Sequence, residues 1–300
     1  MKRKLVKQGT ATMMVSLPSK WVKKSGLKKG NEIDIEEKDS KLIISSEETK
    51  AKKKTEINLS SLNPPSIRTI LTNSYRLGYD KIKINFKDKK TARFISDLIK
   101  TNLIGFEVIK STDKFCEIEN ITEPSKEQFE NIFSKILLNI EELFNVSKEM
   151  LKGKKAEFQE IEEKIQQFFN FCMRVITKES PENYQLRWAF YTELIHGQRE
   201  LYHMLKYLEK SKTKEDKETL ELLNDSRKIF ELLKKAYKEK NTADLEKIQA
   251  FERELIYRKG YGILRKNKDD IVIRHILNSI RHFYFCASPL IGIFISNEKV

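Results

Sequence analysis

MKRKLVKQGTATMMVSLPSKWVKKSGLKKG, residues 1–30, holds nine basic side chains and no acidic one. The nine are Lys2, Arg3, Lys4, Lys7, Lys20, Lys23, Lys24, Lys28 and Lys29, and the first acid is Glu32. A run of one sign this dense fits a polyanion, most simply nucleic acid. The stretch also has the period of a folded element. Ala11, Met13, Val15 and Leu17 alternate with Thr10, Thr12, Met14 and Ser16, the spacing of a half-buried strand.

The pattern continues outward. Pro18 can open a short helix at its first position, where a missing N–H costs nothing. Ser19 to Ser25 gives one or two turns, and Gly26 stops them. Lys29-Gly30-Asn31 turns the chain, and Ile33 and Ile35 alternate with acids in a strand. Lys38-Asp39-Ser40 turns it again before a last strand, Leu42 to Ile44. The order is strand, turn, strand, Leu-Pro, helix, strand, turn, strand within about 46 residues. A unit this small buries too little apolar surface to stand alone, so a homodimer through residues 1–46 is expected.

Three segments, Thr12 to Pro18, Trp21 to Leu27 (WVKKSGL) and Gly30 to Ile35 (GNEIDI), resemble the SpoVT/AbrB/MazE family of swapped-hairpin DNA-binding dimers. The resemblance implies DNA contact from the first strand, its loop and the short helix. Arg3 and Lys4 match the first strand and Lys23 the helix. Met14 stands where many members carry a basic residue. The expected nucleic-acid contacts are Lys2, Arg3, Lys4, Lys7, Lys20, Lys23 and Lys24.

Charge supports a division of labour. Residues 1–54 carry fifteen basic and seven acidic side chains, a net of +8 out of +14 for the 300 residues. The remainder is an ordinary Lys/Glu-rich surface. Cys116, Cys172 and Cys286 are far apart, form no CxxC, and read as reduced buried thiols. The basic start leads into an alternating strand and not a continuous apolar run, so no leader is expected and the chain is read as cytoplasmic. The longest apolar stretch, Phe283 to Ile295, contains Pro289 and is too short to span a bilayer.

Residues 47–55 read as a charged linker, followed by a small α/β domain over 56–123. Its expected elements are a strand at Ile57–Leu59, a helix opened by Pro64-Pro65 and capped by Gly78, and a strand at Lys81–Phe86. A helix capped by Thr91 and running to Leu103 follows, then strands at Phe106–Ile109 and Phe115–Ile118. The order βαβαββ predicts a sheet with helices packed on it. No GxGxxG or GxxxxGK[ST] phosphate loop is present.

From Ser125 the texture becomes helical, with an all-α bundle expected over 125–300. Six helices are read at 125–152, 156–178, 182–210, 215–239, 242–264 and 269–297. The breaks are Gly153, Pro181, Lys212-Thr213-Lys214, Lys240-Asn241 and Asn267-Lys268-Asp269. Phe129, Ile132, Ile136, Leu137 and Ile140 mark one apolar face, and Ile161, Ile165, Phe168, Phe169 and Cys172 another. Short connections predict a pair of three-helix repeats.

The third helix, LRWAFYTELIHGQRELYHML (Leu186–Leu205), and the sixth, IRHILNSIRHFYFCASPLIGIFI (Ile273–Ile295), resemble the PhoU family of phosphate-signalling proteins. With YRLGYDKIKINF (Tyr75–Phe86) and GFEVI (Gly105–Ile109) between the two ends, the whole order is similar to the archaeal PhoU-type regulators. The resemblance implies a link to phosphate uptake and a transporter or kinase component as partner. It also implies E/DxxxD metal motifs on the third and sixth helices, but Ile195, Arg199, Arg281 and Phe285 stand at those positions.

All four histidines lie on those two helices at i, i+7: His196 with His203, and His275 with His282. On the third helix Glu193, His196, Glu200 and His203 fall within about 80° of arc. On the sixth, His275, His282 and Cys286 share a stripe. Facing stripes would offer imidazole, carboxylate and thiolate ligands to zinc or iron. The plainer reading is hydrogen-bonded packing, with no catalytic metal or other cofactor. HExxH and GxSxG are absent, so no enzyme is expected. The leading expectation is a DNA-binding regulator linked to phosphate uptake. The rivals are an adaptor that works by protein contact alone and a metal-binding protein built on the two stripes.

Overall fold

A computed structural model of the chain describes residues 2–38, 41–46, 52–59, 63–122, 126–181, 183–211, 217–266 and 271–297. Two compact units emerge, Met1–Lys53 and Lys54–Val300.

The N-terminal unit holds two hairpins and a short helix. β1 (Val6–Gln8) pairs antiparallel with β2 (Thr12–Met14), with Val6 opposite Met14. Gly9, at φ 72°, lies in the connecting turn, in the left-handed region that glycine adopts without strain. α1 (Ser19–Lys24) follows, with Pro18 at the N-cap and not inside the helix. Gly26 at φ 61° closes the far end, where Leu27 N–H donates to Val22 C=O at 3.1 Å. β3 (Asp34–Lys38) pairs antiparallel with β4 (Lys41–Ser45), with Ile35 opposite Ile44. Asp39 and Ser40 of the expected turn lie outside the described residues, as do residues 47–51 of the expected linker.

The expected half-buried strand over Ala11–Leu17 is corrected on two counts. It spans three residues, and both of its faces are exposed in one copy of the chain: Met13 is 55% and Met14 44% exposed. Alternation in the sequence records a face meant for burial, and a single copy supplies nothing to bury it against.

The second unit begins with a four-stranded sheet. β5 (Lys54–Asn58), β6 (Lys81–Asn85), β7 (Phe106–Ser111) and β8 (Phe115–Asn120) lie in the order β5-β6-β8-β7. β5 and β6 are parallel and the other pairs antiparallel, which follows from the α-helical crossover between the first two strands. α2 (Pro64–Arg76) and α3 (Lys89–Asn102) complete the βαβαββ order. Asn63 caps α2 by accepting from Ser66 N–H at 2.9 Å. Asp88, and not Thr91, caps α3, accepting from Thr91 N–H at 2.8 Å. Tyr75, Ile82, Ile84, Ile95 and Ile118 are wholly buried in this layer.

The helical part comprises α4 (Lys126–Leu151), α5 (Gln159–Glu179), α6 (Tyr184–Lys210) and α7 (Lys217–Glu239). α8 (Ala243–Glu252) then continues as a π-helical stretch, Arg253–Gly260, into α9 (Tyr261–Lys266). α10 (Ile271–Phe285) and α11 (Ala287–Asn297) end the chain. The expected fifth and sixth helices are thus each interrupted. The sixth breaks after Phe285 because Pro289, four residues on, has no N–H for the Phe285 carbonyl. The breaks expected at Lys212-Thr213-Lys214 and Asn267-Lys268-Asp269 lie outside the described residues. α4, α5 and α6 pack on one another, α7 packs on α8 and α10, and α6 runs along α10. All share one continuous core, from Phe129 to Phe294. Among the described residues no helix is long and apolar enough to cross a membrane.

Arg174 of α5 joins the sheet layer to the helices. Its guanidinium is fully buried yet well partnered, donating to Tyr75 C=O (3.0 Å), Tyr79 C=O (2.8 Å) and the Asp80 carboxylate (2.6 Å). It also lies over the rings of Tyr75 and Phe106, 5.1 and 5.2 Å from their centroids. Losing one partner of such a buried pair typically costs about 3–5 kcal/mol.

α6 and α10 meet tightly at Gly197. A Cβ there would lie 2.6 Å from the ring of Phe283, which is wholly buried. Gly197→Ala should gain roughly 1 kcal/mol of helix propensity and lose about 1–3 kcal/mol to overpacking. The expected net result in urea unfolding is a destabilised protein. A more stable variant would show that the two helices can part without loss.

Candidate functional site

The basic N-terminal residues lie on exposed positions. Lys2, Arg3 and Lys4 precede β1 and Lys7 sits within it. Lys20, Lys23 and Lys24 lie on α1, and all seven are exposed. Lys23 and Lys24 occupy the last turn of α1, where cations complement the helix dipole, so part of their placement serves the helix itself. Around them Leu5, Val6, Met13, Met14, Val15, Ile35, Leu42 and Ile43 are exposed by 43–65%.

The two histidine stripes face each other. α6 presents Glu193, His196, Glu200 and His203 to His275 and His282 of α10. His282 Nδ1 lies 2.8 Å from Glu193 Oε2, and His275 Nδ1 lies 2.7 Å from Glu200 Oε2. The partners run in opposite order on the two helices, as antiparallel neighbours must. His196 and His282 have ring centroids 5.3 Å apart, and His203 and His275 6.1 Å. Glu193, His196, Glu200, His275 and His282 are half-buried, and His203 is exposed.

Electrostatics follow from that setting. Burial holds His196 below the ordinary imidazole range, helped by His282 and opposed by Glu193. Burial does the same to His203, against the pull of Glu200. Burial works to raise Glu200, but its hydrogen bonds from His275 and Asn278 outweigh that and hold it below the usual carboxylate range.

Ligand-bearing atoms of Glu193, His196 and His282 all lie within 4.8 Å of one another. Cys286 does not join them. Its thiol is wholly buried and lies against the carbonyl oxygens of Phe190 (3.7 Å) and His282 (3.4 Å). Burial, with Glu193 nearby, pushes its pKa well above the usual thiol value, and its sulfur is not among the clustered ligand atoms. Cys116 and Cys172 are buried and free as well. The positions that the PhoU resemblance assigns to acidic ligands do not fit a metal. Ile195 is in the core, Arg199 donates to Gln166 at 3.0 Å, Arg281 donates to Tyr261 at 3.2 Å, and Phe285 is 45% exposed.

Sequence reasoning missed Glu162. It is buried between α5 and α6, accepting from Gln166 at 3.0 Å and from Gln198. Only its place inside the apolar face of α5 hinted at burial. Gln198 Oε1 has no partner among the described residues, which a protonated Glu162 could supply after an amide flip. Burial raises the Glu162 pKa from 4.5 to about 7. Because the folded value is the higher one, folding binds a proton between those limits and stability falls as pH rises through them. The loss is about 3 kcal/mol for a shift of this size. Glu162→Gln should remove it. Thermal unfolding should show the variant gaining on the wild type above about pH 7 and matching it below about pH 5. An equal difference at both pH values would contradict this.

Comparison with known proteins bears on the N-terminal unit. Residues 6–56 match the family described as "Antidote-toxin recognition MazE, bacterial antitoxin". The chain therefore carries a MazE/AbrB-like N-terminal domain. No curated protein and no solved structure matches the chain.

Proposed function

We propose that the chain is a DNA-binding regulator that works as a homodimer through its N-terminal unit and has no enzymatic step. The single observation that carries this is a MazE-like unit whose basic side chains, among the described residues, are all exposed. Its apolar strand residues lack cover in one copy, and a second copy is the simplest surface to bury them. The resemblance of α6 and α10 to PhoU proteins supports a link to phosphate uptake. On that reading the helical part contacts a transporter or kinase component. The matched family's description supports a second reading, in which the N-terminal unit neutralises a toxin. That reading leaves residues 54–300 without a role.

Fluorescence anisotropy with a mixed-sequence duplex tests DNA contact. Alanine at Arg3, Lys4, Lys20, Lys23 and Lys24 together should abolish binding. For the wild type, log K against log salt should fall with a slope of about −4 to −5, as four to six phosphate contacts require. Absence of wild-type binding at low salt would leave the adaptor and antitoxin readings.

Dimerisation has its own test. Val15→Asp places a charge on the apolar face of the first hairpin region and should release monomers in sedimentation velocity. An intact wild-type monomer at micromolar concentration would overturn the homodimer.

A further inference from the structure

We propose that Glu193, His196 and His282 form a zinc-binding site on the seam between α6 and α10. The inference goes beyond the DNA-binding reading and does not rest on it. Three of its supports are geometric. The three ligand-bearing atoms already lie within 4.8 Å of one another. A cation bound at about 2.1 Å to each in tetrahedral array holds such atoms roughly 3.4 Å apart. The atoms need to draw together by roughly 1.4 Å at most. The ligands also come from two helices whose spacing is fixed next to the site, where Gly197 meets Phe283.

The packing reading accounts for only part of the cluster. His282 is satisfied by Glu193 at 2.8 Å. His196 makes no hydrogen bond among the described residues, and it stands with its ring 5.3 Å from that of His282. Two imidazoles and one carboxylate are a donor set that suits zinc and leaves a fourth position for water. Half-burial lets an ion reach the site while part of its hydration is replaced by protein.

The neighbouring cations are engaged elsewhere. Arg199 donates to Gln166 on α5 and Arg281 to Tyr261 on α9. Both partners are neutral, so the two arginines keep their charge, and that of Arg199 is felt at His196.

The pattern repeats along the seam. Glu200, His203 and His275 have the same chemistry seven residues further along α6. They sit wider, with the two imidazoles 6.1 Å apart, and only the first triad meets the ligand spacing among the described residues. The second triad therefore serves as an internal control.

The test uses the full chain, purified without a histidine tag and stripped with a chelator. Cobalt(II) should bind in at least one equivalent with the visible absorption of a four-coordinate ion, and zinc should displace it. His196→Ala and His282→Ala should each weaken this binding at least tenfold, while His203→Ala keeps it. Circular dichroism establishes that each variant is folded. Should His282→Ala fail to fold, the half-buried His196→Ala decides alone. Wild-type protein that binds neither ion saturably would overturn the site. So would binding that survives His196→Ala or disappears equally in His203→Ala.

Discussion

The close approach of α6 and α10 at Gly197 is the constraint on which the second unit depends. A Cβ at Gly197 would lie 2.6 Å from the ring of Phe283, so Phe283 fills the space that Gly197 leaves. Phe283 in turn packs on Phe144 of α4 and Phe230 of α7. The Gly197–Phe283 contact thus ties α6 and α10 to α4 and α7 in one core. The same spacing brings carboxylates of α6 within hydrogen-bonding distance of imidazoles on α10, on both sides of the contact. Moving the helices apart by the width of a methyl group would open the core and separate both pairs.

A second constraint acts where the sheet meets the helices. A buried guanidinium is costly unless it finds acceptors, and the two terminal nitrogens of Arg174 meet backbone carbonyls and a carboxylate at once. Lys178, one turn on, reaches the same Asp80 carboxylate at 2.7 Å. Arg76 and Asn170 add a neighbouring link, with Asn170 also donating to the Asn102 carbonyl at 3.1 Å. This junction is polar and directional, so it fixes orientation where an apolar contact would allow sliding. It joins what the sequence suggested as two domains, the α/β layer and the bundle, within one compact unit.

Much of this was legible beforehand, and the exceptions have physical causes. Pro64-Pro65 punctuates the chain because proline fixes φ, and Gly78, Gly105 and Gly153 because each sits at a positive φ that other residues adopt only with strain. Local patterns could not choose between Asp88 and Thr91 as the cap of α3, since both can accept from a backbone N–H and they bond each other at 3.0 Å. Spacing placed the histidines in stripes, but whether two stripes meet is a property of packing between residues about eighty apart. Cys286 shared a stripe with His282 and still turned inward, because a break after Phe285 redirects the chain there. Burial of β2 was misread because alternation cannot say whether the covering surface belongs to the same chain.

On the proposed function, DNA contact belongs to the N-terminal unit alone. Hydrogen–deuterium exchange of the full chain, with and without duplex DNA at low salt, tests it most directly. The account predicts slower exchange on DNA in peptides from residues 2–46 and unchanged exchange over residues 126–297. Protection confined to the helical residues, with none over residues 2–46, would contradict it.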